Sequence, residues 1–370
     1  MKIFFNFARL LTGLVFIFSG FVKGVDPMGT AYRVEDYFLA WGMSWAEPLS
    51  LTLSVLLCAF EFTLGVYLLL NLKTRLTAWA TLLLMAYFTI LTFFDALYNT
   101  VPDCGCFGDA LKLGNWETFY KNIVLSVFVI LIFFNRNNFI SPFGKKLSTI
   151  LAVLIPLGFL SFSAYSLLHL PPLEFTSWKK GNVMMPDSIQ PTQTYLVYKE
   201  KSTGATKEFL SKDLPWQDSV WMANWEYDTT RIVDPNVYPA PNFNIMDTSG
   251  TNLTMTYMQA RGYVVFLVAV DLAKAKTKNL EKLEVFYKNA TAAGYTVIGL
   301  TASIAGDISR YSKENGLTIP FYNTDDKELK TMIRSNPGIV LLKDARVLKK
   351  WHFRDIPSGE AFVRDYPVNP

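Results

Sequence analysis

The sequence predicts an α-helical membrane bundle followed by a soluble α/β domain. Three observations carry this. The 370 residues are 51% hydrophobic and 15% aromatic but only 18% charged, which is too apolar for an ordinary soluble protein. The apolar runs are concentrated before residue 170, whereas residues 171–370 are rich in Lys, Asp and Glu like any globular chain. Beyond residue 239, short apolar runs alternate with helical stretches, the pattern of a sheet covered by helices.

Five apolar runs are long enough, at ~20 residues, to cross a hydrocarbon core as helices: residues 3–21, 49–70, 76–96, 120–134 and 147–168, the fourth being the shortest. Between them the cations sort by side. Lys2, Arg9, Lys73, Arg75, Arg136, Lys145 and Lys146 fall on one face, and Lys23, Arg33, Lys112 and Lys121 on the other. The positive-inside bias makes the first face cytoplasmic. The loop "DCGCFGD", the loop spanning residues 26–47 and everything after Pro171 are then expected outside the cytoplasm, in the periplasm of a bacterium whose inner membrane holds the bundle. A basic start before an apolar run can also be a cleaved signal peptide, but "IFSGFVKG" lacks a small-x-small cleavage site.

Two of the three cysteines, Cys104 and Cys106, sit one glycine apart in "NTVPDCGCFGDALKLGNWETFY". In an oxidising compartment such a pair is expected to bridge. Residues i and i+2 in a turn can reach the Cα separation of roughly 4.4–6.8 Å that a disulfide needs, and Gly105 lets the turn bend. So small a ring would be strained and easily reduced, suited to exchange, and it closes too short a loop to stabilise a fold. The plainer alternative is a packed or bridged pair in a surface loop. A structural zinc wants four ligands, and beyond the cysteines only His169 and His352 are available, with Asp103 and Asp109 near the loop. A Cys104–Cys106–His169 set stays open as an alternative, although no metal is expected. Cys58, in the second run, reads as a small buried hydrophobe. Glu61 is three residues on, so on the same helical face; an acid in a bilayer faces a partner or a cavity. Arg9 in the first run is a candidate partner, which leaves two readings of Glu61: a structural Arg–Glu pair, or a proton-handling, quinone-facing group.

The segments "FARLLTGLVFIFSGFVKGVDPMG", "EFTLGVYLLLNLKTRL" and "DCGCFGD" together resemble the DoxX/MauE family of redox-associated membrane proteins, over residues 1–135. The resemblance implies a four-helix membrane bundle, with residues 136–170 adding a fifth helix. Its MauE branch implies a link to disulfide formation during maturation of methylamine dehydrogenase, alongside a separate thioredoxin-like partner. By position, Arg9, Lys23, Glu61, Cys104 and Cys106 match the family's polar pattern. The two cysteines are the candidate catalytic groups; Arg9, Lys23 and Glu61 are candidates for holding a cofactor, unknown in identity, with a quinone the one considered.

Pro171 and Pro172 end the fifth helix, and residues 171–238 are expected to form a small β-rich unit. In it "QTYLVYKEKSTGATKEFL" reads as a hairpin and "DTTRIVDP" as a third strand. Residues 239–370 open with "YVVFLVAV", a strand buried on both faces. A helix over 274–291, "YTVIGLT", a helix near 304–315, "TIPFY", a helix near 326–334 and the pair "GIVLLK" and "RVLKKWHF" follow. This order, with "SNPGIVLLKDARVLKKW" near the end, resembles the thioredoxin-like fold, which implies a cis-proline at Pro337. One departure matters: where a thioredoxin carries Cys-x-x-Cys, this chain has "AVDLAKAK". Asp271 there reads as a helix cap, so the fold is transferred and the oxidoreductase chemistry withheld. Trp178, Trp216, Trp221 and Trp225 are explained by core or interface packing.

A net charge of only +4 without a basic stripe disfavours nucleic acid, and two histidines without a suitable pattern disfavour hydrolase chemistry. Two functions remain. One is thiol–disulfide exchange at Cys104 and Cys106 with a periplasmic protein client, electrons passing to a carrier such as a quinone. The alternative is a non-catalytic scaffold held in the lipid bilayer that binds a client during assembly of an envelope complex.

Overall fold

The computed structural model describes residues 2–101, 103–186, 188–215, 217–236, 238–275 and 277–368; Trp216 lies outside them. The first part runs α1 (Lys2–Val25), α2 (Pro27–Ala40), α3 (Ser50–Leu70), α4 (Thr74–Tyr98), α5 (Asn115–Phe134) and α6 (Lys145–Leu168). All of these except α2 are long and apolar enough to cross a membrane. The fourth span begins at Asn115 rather than at residue 120, because the Glu117 carboxylate accepts the Gly114 N–H at 3.0 Å and closes an earlier first turn. The segment expected as a loop after residue 26 contains α2. Asp26 caps it, accepting the Gly29 N–H at 2.9 Å, and Pro27 occupies its first turn.

Glycine sets how closely α1 and α3 approach. A Cβ on Gly20 would sit 2.5 Å from the Phe62 backbone nitrogen, and one on Gly65 2.6 Å from that of Ile17. Such close, small-residue crossings are how membrane helices gain packing energy without a hydrophobic drive. The same contacts fix the antiparallel register, so that the outer third of α1 lies beside the middle of α3. Helix α6 closes a third side, with Phe159 stacked on Phe62 at 4.3 Å and the Ser163 hydroxyl donating to the Gly24 carbonyl at 3.3 Å.

The second part continues with β1 (Gln193–Glu200), β2 (Thr206–Leu210), α7 (Ser219–Asn224) and β3 (Trp225–Val233). These strands make an antiparallel sheet of order β2-β1-β3, on which Trp221 and Trp225 stack at 6.1 Å. Then come α8 (Thr254–Met258), β4 (Tyr263–Val268), α9 (Thr277–Ala292), β5 (Thr296–Thr301), α10 (Ala305–Glu314), β6 (Phe321–Asn323), α11 (Asp326–Met332), β7 (Gly338–Lys343), β8 (Arg346–His352) and α12 (Gly359–Asp365). Their sheet has the order β6-β5-β4-β7-β8. Strands β4, β5 and β6 run parallel, β7 antiparallel to β4 and β8 antiparallel to β7. This is a thioredoxin-like arrangement, and the Asn336–Pro337 bond before β7 is cis. Alternation along β4 feeds both faces: Val265 and Leu267 pack with Leu283 and Phe362 on one side, Val264 and Phe266 with Leu329 and Met332 on the other.

Two sequence expectations need correction. Trp178 and Met184 belong to the core of the α/β domain, not to the small β-rich unit expected over 171–238. The backbone explains why: Gly181 and Met184 donate to the carbonyls of Val347 and Ala345, at 2.8 and 2.9 Å, extending the sheet edge beside β8. Asp271 does not cap α9. Its carboxylate accepts the Ala273 N–H at 2.9 Å within a turn that precedes the helix.

Candidate functional site

Helix α4 ends on Asn99 in the left-handed conformation, which releases the chain into the cysteine loop. Gly105, at φ +63°, folds that loop back, a conformation that favours glycine. Both thiols are free, with the Sγ atoms 2.8 Å apart. The Cys104 sulfur also accepts the Cys106 N–H at 3.3 Å. The hydrogen bond from the Cys106 thiol holds the Cys104 thiol down to about 6, against burial and with help from Thr118 and Lys121. The same bond and burial push Cys106 well above the ordinary thiol range. The opposite directions make Cys104 the more acidic thiol of the reduced pair. Arg33 of α2 covers the loop: it pairs with Asp103 at 3.0 Å and Asp36 at 3.1 Å, and its Cγ lies 3.0 Å from where a Cβ on Gly105 would be.

Beneath the loop, Lys23 and Glu61 form an ion pair of 2.5 Å whose side chains are 5% and 2% exposed. Two charges so far from water are tolerated when paired and hydrogen-bonded. The Ser19 hydroxyl supplies the connection upward, lying 2.7 Å from Glu61 Oε2 and 2.7 Å from the Cys106 carbonyl oxygen. The ion pair and the thiols line one mostly apolar cavity of about 290 Å³, together with Tyr37, Phe88 and Lys121. Trp41, Leu53 and Tyr87 line it as well and are exposed on the outer surface of the bundle, so the cavity has a flank on the side that faces lipid. The Tyr37 hydroxyl donates to Asp95 at 2.5 Å and ties α2 to α4 over the cavity.

Of the residues singled out in the sequence, the structure brings Lys23, Glu61, Cys104 and Cys106 to one cavity and leaves Arg9 out. Arg9 donates to the carbonyls of Leu68 and Leu69 at the far end of α3. It lies ten residues before Ser19 on α1, or about 15 Å along a helix, so the antiparallel register denies it Glu61. The Cys104–Cys106–His169 set is not assembled either: His169 Nδ1 lies 2.9 Å from Asp355, and among the described residues no group of three His, Cys, Asp or Glu side chains is arranged for a metal. Cys58 is fully buried with Ala59 and Phe159. Sequence reasoning did not single out Ser19 or Tyr37. A serine four residues before Lys23 on the same face is a signal for the first; the second becomes visible only once α2 is known to be a helix.

A curated relative, Protein TlpB of Flavobacterium psychrophilum, is 25% identical over 158 residues, which are 40% of this chain and 42% of that protein, so the chain spans well under half of the relative's length. A solution structure of a protein described as a disulfide isomerase from Bacteroides thetaiotaomicron covers 34% of this chain and 82% of its own, at 15% identity and a TM-score of 0.27. Residues 1–135, which hold every member of the cavity and all three cysteines, match the family model of methylamine utilisation protein MauE.

Proposed function

We propose that this chain is a multi-pass inner-membrane thiol–disulfide redox protein that works through Cys104 and Cys106 on a periplasmic protein client. The observation that carries the reading is the placement of a close thiol pair and a buried ion pair in the lining of one apolar cavity. In the oxidised form a client thiolate attacks the Cys104–Cys106 disulfide to give a mixed disulfide, the client's second thiol resolves it, and the client leaves oxidised while the loop holds two thiols. The low value of the Cys104 thiol makes it the better leaving group in that exchange. To close the loop again, the pair must lose two electrons and two protons. A quinone-class carrier in the cavity would accept both and become a quinol. Lys23, an ammonium with two N–H groups beyond the one held by Glu61, is the donor placed to orient one of its oxygens, and the exposed flank at Trp41, Leu53 and Tyr87 suits entry from the bilayer. Ser19 ties Glu61 to the Cys106 carbonyl, so the buried pair helps to hold the loop at the cavity wall. The distribution of Lys and Arg supports the periplasmic placement of the loop and of the α/β domain.

The test is oxidation of a dithiol client by membranes containing the protein. Cys104→Ser and Cys106→Ser are each expected to lower turnover below about 1% of the parent, since exchange needs both thiols, whereas Cys58→Ala changes it little. Mixed disulfides on non-reducing gels should follow the remaining cysteine. Full turnover in the Cys104→Ser/Cys106→Ser double variant would overturn the reading and leave the membrane-held scaffold.

A further inference from the structure

The α/β domain has no cysteine, yet one of its side chains reaches the cysteine loop. Arg334 sits between α11 and Pro337. Its guanidinium Nε lies 2.8 Å from Asp26, and Nη2 is 3.0 Å from Asp109; it also donates to the Lys330 carbonyl, and its side chain is only 7% exposed. Asp26 is the cap of α2, the helix that carries Arg33 over Gly105. Asp109 lies in the helical turn Gly108–Ala110, three residues after Cys106. Tyr32 of α2 completes the pocket, its ring 5.5 Å from the Arg334 guanidinium carbon and 4.9 Å from the Lys330 ammonium. A second set of contacts fastens the domain at the end of α6, where His169 meets Asp355 and Arg354 donates to the Leu168 carbonyl at 3.2 Å.

We propose that Arg334 is a positioning residue for the thiol pair, and that the cysteine-free α/β domain serves as a docked cap which holds the cysteine loop and α2 in register through this one side chain. A planar guanidinium can serve two carboxylates at fixed angles, and here the two belong to the two pieces of backbone that frame Cys104 and Cys106. With Arg334 in place, Asp109 anchors the loop downstream of Gly105, and the Cys106 N–H and thiol stay aimed at the Cys104 sulfur. Without it, Asp26 keeps only the Gly29 N–H and Asp109 only Lys112, 3.8 Å away, nothing joins the two carboxylates, the turn Gly108–Ala110 relaxes, and Cys104 loses the hydrogen bonds that favour its thiolate.

This deepens the thiol–disulfide reading and rests on it, but its test needs no turnover, so the two can fail separately. In the reduced full-length protein carrying Cys58→Ala, the rate of iodoacetamide alkylation of Cys104 is followed against pH. Arg334→Ala is expected to raise the midpoint by about one unit or more toward that of a free thiol, and to raise the plateau rate at high pH because the loop is uncovered. Arg334→Lys, which keeps the charge and loses the fork, should fall between. Lys349→Ala, an exposed cation on β8, should leave both unchanged. If Arg334→Ala fails to fold, Asp109→Asn leaves the α/β domain whole and must move the midpoint in the same direction. A midpoint within about 0.2 unit of the parent in a folded Arg334→Ala or Asp109→Asn protein overturns the proposal. Loss of client oxidation in the cysteine variants with no midpoint shift in these would leave the redox reading standing and remove the cap.

Discussion

Two turns in this chain invite comparison: residues 271–275 after β4, where a thioredoxin-like domain would carry its thiols, and residues 103–108 in the bundle, where the thiols are. The first is a polar turn. Asp271 caps Ala273 and lies 3.6 Å from the exposed Lys274, while Leu272 points into the core. The second rests on a buried ion pair, has a cation over its Phe107 ring at 4.4 Å and is held from above by Arg33 and Arg334. Thiolate chemistry needs nearby positive charge and hydrogen-bond donors, and these were assembled around the membrane loop. Under the proposed exchange, the turn position in a fold is a poor guide to where the chemistry sits, and the charges around the sulfur are a better one.

The largest test of that contrast is to unbalance the buried pair. Lys23→Ala or Glu61→Ala leaves a lone charge in the bundle and is expected to cost about 3–5 kcal/mol, whereas the apolar double replacement Lys23→Met/Glu61→Leu should recover most of it. Thermal melting in detergent separates the two outcomes. The loss should appear in the bundle and the cysteine loop, with the α/β sheet keeping its amide protection. Equal destabilisation of both parts would mean that the turn over the ion pair is not the independent unit the comparison assumes.

How much of this was legible beforehand follows from what each signal measures. Hydropathy sees only apolar length, so the five spans were readable, and α2 was not: Arg33, Glu35 and Asp36 break its apolar run, and its helix is set by the Asp26 cap and by burial of Tyr37 against Asp95. The strand and helix order of the α/β domain was readable because β4, β5 and β7 are short apolar runs between polar helices. The thiols could be named, but the partner of Glu61 could not. Arg9 and Lys23 are both cations of α1, and only the helix register set by Gly20 and Gly65 decides between them. Arg334 was beyond reach, since it meets Asp26 across 308 positions with no local pattern to announce it.

That register is itself testable at a smaller scale. Gly20→Ala puts a methyl 2.5 Å from the Phe62 nitrogen and 2.8 Å from its Cα, atoms of backbone that cannot rotate away. Overpacking of this kind costs about 1–3 kcal/mol. Because α1 must then move off α3, Ser19 should lose one of its two partners, Glu61 or the Cys106 carbonyl. Melting of the variant in detergent reads the stability loss, and the alkylation profile of Cys104 reads the loop. A variant with the parent's melting point would show that the helices are held apart by something other than this contact, and would detach the ion pair from the thiols.

The smallest expected effect lies in the α/β domain and gives it a pH response opposite in origin to that of the loop. His352 pairs with Gly338 across β7 and β8, and its Nδ1 accepts the Arg354 N–H at 3.3 Å. Burial, helped by the Arg354 charge, holds its imidazole down to about 4. The unfolded chain takes up the proton near the ordinary value of about 6.5, so between about 6.5 and 4 the unfolded state binds more protons than the folded one. Stability is then full above the higher value and falls as pH drops through the window, levelling off below it; with partial hydration of the ring the loss is about 1–2 kcal/mol. Protonation also removes the acceptor for the Arg354 N–H, beside the bond in which Phe353 N–H donates to the Ser335 hydroxyl at 3.1 Å, so the loosening should reach the segment that carries Arg334. Hydrogen exchange of the β7 and β8 amides in the full-length protein should quicken from pH 6.5 to 4, after correction for intrinsic rates. His352→Leu should flatten that response. Parent and variant tracking together would show that the histidine is already charged in the folded domain, and that the domain's grip on the cysteine loop does not weaken with acid by this route.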